Sequence, residues 1–259
     1  MSRNVVVTGS GSGIGAALTA LLRAQGDQVI GVDLSGSEVD ADLSTSEGRA
    51  AAAAAACEAA GGVVDAVVTC AGVSVPGTAM ITVNYFGTTE FLTALRPALA
   101  AAEHPRVVAI GSISGTQPAD ADVVAACLEG DEAKALTHAE RAVAAGRERQ
   151  LYPSSKSAIA QWARRTAVAD GWAASGIAVN VIAPGVVLTP MSAGLFDDPK
   201  MKKIMDDAVP MPLNGYMQPE DVARAVQFLA SAANTHITGQ VVYVDGGAET
   251  TLRGPAHFL

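Results

Sequence analysis

Cysteine is scarce. Cys57, Cys70 and Cys127 are odd in number, widely spaced and never in a C-x-x-C pair, so neither a disulfide framework nor a zinc site is signalled. They read as small buried hydrophobes. Basic residues are few as well, 17 Lys and Arg against 26 Asp and Glu, and the formal net charge of −9 argues against nucleic acid and against an anionic membrane surface as partners. No stretch reaches the ~18 uninterrupted apolar residues of a membrane span. Met1 leads almost at once into "VVVTG", without a basic start, apolar run and cleavage site, which sets the expectation of a cytoplasmic protein. His104, His138, His236 and His257 are scattered outside every motif, so no metal site is expected. With no internal repeat and no Pro/Gly/Ser-rich linker, residues 1–259 read as one domain.

What is present is apolar. A chain with 49% hydrophobic and 17% charged residues can bury a large core. Short apolar runs, "NVVVTG" at 4, "QVIGVD" at 28, "VDAVVTCAG" at 64, "RVVAIGS" at 106, "IAVNVIAPG" at 177 and "QVVYVDGG" at 240, alternate with helix-length segments. Strands too apolar to alternate belong to a parallel sheet covered on both faces. The expected fold is α/β, a doubly wound Rossmann arrangement of about seven mostly parallel strands, one of them near "EVDADL" at 38. "STSE" at 44 to 47, ahead of the alanine run 50–56, reads as a capping box with Ser44 as N-cap and Glu47 reaching back.

"VTGSGSGIGAAL", from Val7, sits between the first strand and a helical pattern through Leu18, Leu21 and Leu22. Glycines there permit a tight turn and let backbone N–H groups approach a pyrophosphate at the positive end of the helix. The register Thr8-Gly9-x-x-x-Gly13-x-Gly15 fits better than G-x-G-x-x-A, and Gly9, Ser12, Gly13, Ile14 and Gly15 are the candidate contacts. Asp33 closes the second strand near the offset at which an acid holds an adenosine ribose. Its charge repels a 2′-phosphate, and Leu34, Ser35, Gly36 and Ser37 bring no Arg or Lys to offset that, so the expected cofactor is NAD.

"YPSSK", residues 152 to 156, places Tyr152 and Lys156 on one helix face, with Pro153 tolerated in the first turn. A free phenol, with pKa about 10, is a poor acid-base catalyst at neutral pH. A cation ~6 Å away at an effective dielectric of ~20 lowers it by roughly two units. Lys156 is expected to cover most of that gap.

Gly9, Gly13 and Gly15 with Asp33, "CAG" at 70 to 72, Asn84, "GSIS" at 111 to 114, Tyr152 with Lys156, and "PGVVLTP" at 184 to 190 together resemble the short-chain dehydrogenase/reductase family across the whole chain. The resemblance implies that Ser112 polarises the substrate oxygen, Tyr152 exchanges the proton, Lys156 binds the nicotinamide ribose and Asn84 anchors a proton relay. It further implies that Asp42 and Leu43 meet the adenine, that Cys70, Ala71 and Gly72 line the cofactor, and that Pro184, Gly185, Val187 and Thr189 hold the carboxamide. Thr69 and Cys70 stand where the family usually has two asparagines, so a strand-end side-chain bond should be missing. Ser112 lies some 27 residues farther from Tyr152 than the family's usual spacing, with Ser114 as a rival for the same role.

The extra segment, 117–146, breaks at Gly130 with Asp131 as an N-cap and reads as two helices. With "VNYFGTTE" at 83 to 90 it resembles one branch, the bacterial 3α-hydroxysteroid dehydrogenase/carbonyl reductases; coniferyl-alcohol dehydrogenases look similar. The resemblance implies an NAD-dependent interconversion of a secondary alcohol and a ketone on a small hydrophobic substrate, the alternatives being an aryl-alcohol dehydrogenase or a dinucleotide-binding regulator without turnover. It also implies a homo-oligomer, a dimer ahead of a tetramer, formed by the last strand and the helix 219–230, because the insertion obstructs the family's usual interface. Met191, Met201, Met205, Met211 and Met217, with Leu195, Phe196 and Ile204, mark 190–217 as a lid for a bulky apolar ligand. Lys202 and Lys203 read as solvated face, and Phe258 and Leu259 as a frayed end or an oligomer contact.

Overall fold

The computed structural model describes residues 2–195 and 198–258, with the backbone alone of Leu195, His257 and Phe258. Phe196 and Leu259, named above for the lid and an oligomer contact, lie outside the described residues. Seven strands are found among the described residues: β1 (Asn4–Thr8), β2 (Gln28–Asp33), β3 (Val39–Asp40), β4 (Ala66–Thr69), β5 (Arg106–Ile110), β6 (Ala178–Pro184) and β7 (Val241–Val244). They form one sheet in the order β3-β2-β1-β4-β5-β6-β7, and every adjacent pair is parallel. The chain runs outward from β1 to β3 and then returns to β4 on the other side of β1. That reversal opens a crevice at the carboxyl ends of β1 and β4, where doubly wound sheets bind their ligands.

Side chains that alternate along each strand feed two cores. Val6, Val67, Val107 and Val179 face one layer, in which α2 (Ser46–Ala59), α4 (Gly87–Ala100) and α7 (Leu151–Thr166) contribute Ala52, Ala56, Phe91, Leu95 and Ile159. Val5, Val7, Val68, Val108 and Ile182 face the other, covered by Leu18 and Leu22 of α1 (Gly13–Ala24) and by Val222 and Val226 of α9 (Pro219–Leu229). Each fully buried aliphatic side chain of this kind contributes about 1.5–3 kcal/mol of transfer free energy. Alanines on α2 let it lie close against α4.

The segment ahead of α7 forms α5 (Ala121–Glu129) and α6 (Glu132–Ala144), broken at Gly130 in the left-handed conformation (φ 76°) and restarted by Asp131, whose carboxylate accepts from Lys134 N at 2.9 Å. Val123, Cys127, Ala135, Ala139 and Ala142 join the first core. The base of the hairpin is clipped shut: Asp120 caps α5 through Asp122 N and Val123 N, pairs with Arg147 beyond α6, and donates its own N–H to Ser154 Oγ at 2.9 Å. Capping of α2 departs from expectation. Ser44 N donates to Asp42 Oδ1 in a turn at 2.8 Å, so the extended residue is Thr45, and it is Thr45 Oγ1 that accepts from Gly48 N at 3.0 Å. The Ser44–Glu47 box does not form, because the chain enters the helix one residue later.

Before α4 the helix begins as α3 (Ala79–Ile81) and passes through a π turn over Thr82–Phe86, in which Gly87 N–H reaches Thr82 O. Such bulges concentrate at functional sites.

Candidate active site

A cleft of about 450 Å³ runs along the carboxyl edge of the sheet, within the size range of small-molecule sites. At one end the β1–α1 turn is forced by two glycines. Gly9, at φ +66°, occupies the left-handed region, and a Cβ on Gly15 would stand 2.0 Å from Gly9 O. The turn is therefore as tight as backbone allows. Ser12 is extended, and among the described residues no side chain caps α1, so its first N–H groups and the positive end of the helix face the cleft beside Gly13 and Ile14. Across the turn, Asp33 Oδ2 accepts from Gly11 N at 2.9 Å and Oδ1 from Leu34 N at 2.7 Å, which occupies two of the roughly four lone-pair positions of a carboxylate. Arg23 is held by Glu38 at 2.5 Å, which keeps that guanidinium engaged away from Asp33. Asp42 and Leu43 continue the same wall, and the Ser44 hydroxyl and N–H keep the Asp42 carboxyl below its ordinary range.

At the other end α7 presents Tyr152 and Lys156. Lys156 Nζ donates to Ile110 O at 2.9 Å and sits 5.6 Å from the Tyr152 ring centroid. Of the two rival serines, Ser112 is the one that acts on the Tyr152 phenol, favouring its ionised form, and its Oγ accepts from Ser114 N at 3.1 Å. The acidity of the phenol runs against the simple expectation. Burial pushes Tyr152 up, and the Ser112 hydrogen bond only partly opposes it. Burial likewise pulls Lys156 down to about 8, with Cys70 opposing, so the charge counted on to acidify Tyr152 is itself costly to keep. The two-unit depression expected from Lys156 is not met: burial outweighs the lowering influences and the phenol stays above its ordinary value.

Gly72 lies between the two halves of this group: a Cβ there would meet Asn84 Oδ1 at 3.2 Å and Lys156 Nζ at 3.8 Å. Asn84, fully buried in the π turn, is set behind the cleft wall rather than on it. Its Oδ1 accepts from Val73 N at 2.7 Å while its Nδ2 donates to Val73 O at 3.0 Å and to Ser155 Oγ at 3.2 Å. Cys70, Ala71 and Gly72 follow β4 into the cleft, and burial pushes the Cys70 thiol up to about 12 against the pull of Lys156. The missing strand-end bond has a visible trace: among the described residues Thr69 Oγ1 is buried without a hydrogen-bond partner, and Thr8 Oγ1 ties the strand ends instead by accepting from Ala71 N at 3.1 Å. Pro184, Gly185, Val187 and Thr189 form the far wall, with Thr189 Cγ2 3.2 Å from where a Gly13 Cβ would be.

The methionines of 190–217 divide. Met191 and Met205, from the lid and its helix α8 (Pro199–Ala208), line the cleft with Val209 and Ile113. Met211 packs beneath, its sulfur accepting from Val186 N at 3.2 Å, Met217 packs on the second core, and Met201 is exposed. Lys202 and Lys203 pair with Asp206 and Asp207 one turn on. The sequence did not mark four further residues of the wall: Ser74, in the loop after β4, and Ile110, at the end of β5, carry no periodic signal, while Val83 lies in the π turn and Val209 just past α8.

The family model described as Enoyl-(Acyl carrier protein) reductase matches residues 9–249. The 3-alpha-hydroxysteroid dehydrogenase/carbonyl reductase of Comamonas testosteroni is 36% identical over 98% of this chain and 99% of its own. The chain belongs to the short-chain dehydrogenase/reductase family. Among solved members, the 3-alpha-hydroxysteroid dehydrogenase of Pseudomonas sp. B-0831, complexed with NADH, superposes with a TM-score of 0.90 at 40% identity, covering 98% of this chain and 99% of that one. The aldohexose dehydrogenase of Thermoplasma acidophilum, at 22% identity and a TM-score of 0.74 over 98% and 96% of the two chains, shares the short-chain dehydrogenase/reductase fold.

Proposed function

We propose that the protein is an NAD-dependent oxidoreductase that interconverts a secondary alcohol and a ketone on a hydrophobic substrate of the 3α-hydroxysteroid or xenobiotic-carbonyl class. The observation that carries this reading is one cleft in which Asp33, the open end of α1 and the Ser112–Tyr152–Lys156 group follow one another. Those residues fit a nicotinamide dinucleotide. Asp33 retains lone pairs for ribose hydroxyls, the α1 N–H groups suit a pyrophosphate, Asp42 and Leu43 suit the adenine, and Pro184 to Thr189 suit the carboxamide. NAD, when bound, supplies the hydride acceptor, and NADH the donor.

The chain's residues handle the proton and the oxygen. Tyr152 takes the hydroxyl proton as the alcohol is oxidised and returns it in reduction; Ser112 donates to the substrate oxygen, and Lys156 offsets the phenolate charge while holding the nicotinamide ribose. Asn84 fixes the loop after β4 and so the space around Lys156. Met191, Met205, Val209 and Ile113 give the substrate end apolar, adaptable walls that suit a steroid. Among the described residues no helix is long and apolar enough to cross a membrane, and we read residues 1–259 as one domain acting in the cytoplasm. A homodimer through β7 and α9 fits the same reading: α5 already covers α7, whereas α9 presents Phe228 at 49% exposure.

The test is absorbance of the reduced nicotinamide with androsterone, with coniferyl alcohol, and with NADP in place of NAD. Turnover of androsterone with NAD supports the proposal; turnover of coniferyl alcohol alone would move the substrate to the aryl-alcohol class. Tyr152→Phe should abolish turnover and keep NAD affinity, and a wild-type chain that binds NAD but turns over neither alcohol would favour a regulator.

A further inference from the structure

Arg49 is the largest fully buried side chain, with 1% of it exposed, and it lies outside the cleft. Its Nε donates to Glu90 Oε2 of α4 at 2.7 Å, and Nη2 and Nη1 donate to Glu132 Oε2 and Oε1 at 2.5 and 3.2 Å. Glu132 is the first residue of α6, in the insertion. The remaining reach of Nη1 is to Leu43 O at 3.4 Å and Ser44 O at 3.3 Å. The guanidinium also sits 5.9 Å from the Phe86 ring centroid, at the end of the π turn. A buried cation with two carboxylates and two carbonyls thus joins α2 and the Asp42–Ser44 loop just before it to α4 and the hairpin, whose acids lie 41 and 83 residues along the chain.

The loop it grips is the wall of the cleft. Leu43 and Asp42 line it, and the Leu43 carbonyl is confined between Arg49 and Gly87, whose Cβ position lies 3.2 Å away. Asp42 O is equally confined, 1.9 Å from the Cβ position of Gly48. Backbone held this closely has little freedom to adjust on its own, so where Arg49 sits decides where the wall sits. Where Arg49 sits depends in turn on Glu132: without that carboxylate a buried guanidinium keeps one acid, itself 41% exposed, and is drawn toward it.

We propose that Arg49, clamped by Glu132, is a positioning residue for the adenine end of the cofactor site, so that the helical insertion sets cofactor affinity. The proposal rests on the function proposed above. The experiment is binding of NADH, AMP and nicotinamide mononucleotide to the full chain carrying Glu132→Gln, by NADH fluorescence and by calorimetry. The affinity for NADH and for AMP should fall together, about five-fold or more, while nicotinamide mononucleotide binds as before and kcat at saturating NAD is kept. Lys134→Ala, which breaks the exposed pair with Glu129 in the same hairpin, is the control and should leave AMP affinity unchanged.

Hydrogen exchange covers the case in which Glu132→Gln loosens the hairpin: faster exchange at 43–48 in the variant supports the clamp, and acceleration confined to 121–144 overturns it. A folded variant that binds AMP as the wild type does overturns it as well, leaving the function intact. A wild-type chain that binds neither NADH nor AMP overturns both.

Discussion

Replacing Lys156 with methionine keeps the length of the side chain and removes its charge. At 5.6 Å from the Tyr152 ring, a unit charge interacts with a phenolate by about 3 kcal/mol at an effective dielectric of about 20. That is roughly two pKa units. Burial already holds the phenol above its ordinary value, so Lys156→Met should raise it further, and the fraction ionised at a fixed pH below the pKa should fall ~100-fold. In steady-state oxidation of androsterone, kcat/KM should drop by about that factor at pH 7, where Lys156, held near 8, keeps its charge, and by progressively less above pH 8. Loss of the bond to Ile110 O also costs about 1–3 kcal/mol of stability, which thermal melting measures separately. A drop no larger at pH 7 than at pH 9, accounted for by the KM for NAD, would refute the reasoning, since Lys156 would then act through the ribose alone.

Three further outcomes follow from the same geometry. Asp33→Ser removes a charged acceptor worth about 1.5–3 kcal/mol, so the KM for NAD should rise ten-fold or more and the preference over NADP should narrow; an unchanged ratio of kcat/KM values would remove Asp33 as selector. Gly15→Ala sets a Cβ against Gly9 O at 2.0 Å, and the variant should melt earlier and lose NADH binding, which equilibrium fluorescence checks. Burial raises the Asp120 carboxyl, but the hydrogen bonds from Arg147, Val123 and Asp122 and the Arg147 charge outweigh it and hold its pKa below the usual value. A depressed carboxylate lends stability that is complete above its unfolded pKa of about 3.9 and is lost as the pH falls through the lower folded value. Limited proteolysis should therefore find the hairpin opening below about pH 4, and Arg147→Ala should shift that opening to higher pH.

The sheet, the glycine turn, Asp33 and the Tyr152–Lys156 pair were legible because each depends on short-range spacing: apolar runs, a turn that only glycine permits, an i, i+4 pair on one face. The hairpin was legible too, since Gly130 and Asp131 punctuate it. Thr45 displaced Ser44 as the cap because Asp42, two residues upstream, competes for the Ser44 N–H, a choice made by a turn and not by helix pattern. The acidity of Tyr152 departs from expectation for a different reason: Coulomb attraction can be counted from spacing, whereas the burial that opposes it depends on how the whole fold closes around α7. Arg49 was invisible because its acids, Glu90 and Glu132, are 41 and 83 residues away along the chain.

The π turn at Thr82–Phe86 has a consequence for what the chain can lose. It is a surplus residue wound into an otherwise regular helix, and deleting any one position within it would let the coil close as ordinary α. The surplus residue is what the wide turn absorbs, so the flanking helix would keep its register while the residues inside the turn, Asn84 among them, would move round the axis by up to about 100°. Asn84 would leave Val73 and Ser155 behind, although none of the three had been substituted. The loop behind the lysine is held by a count of residues, and a shortened gene could undo it as surely as a changed side chain.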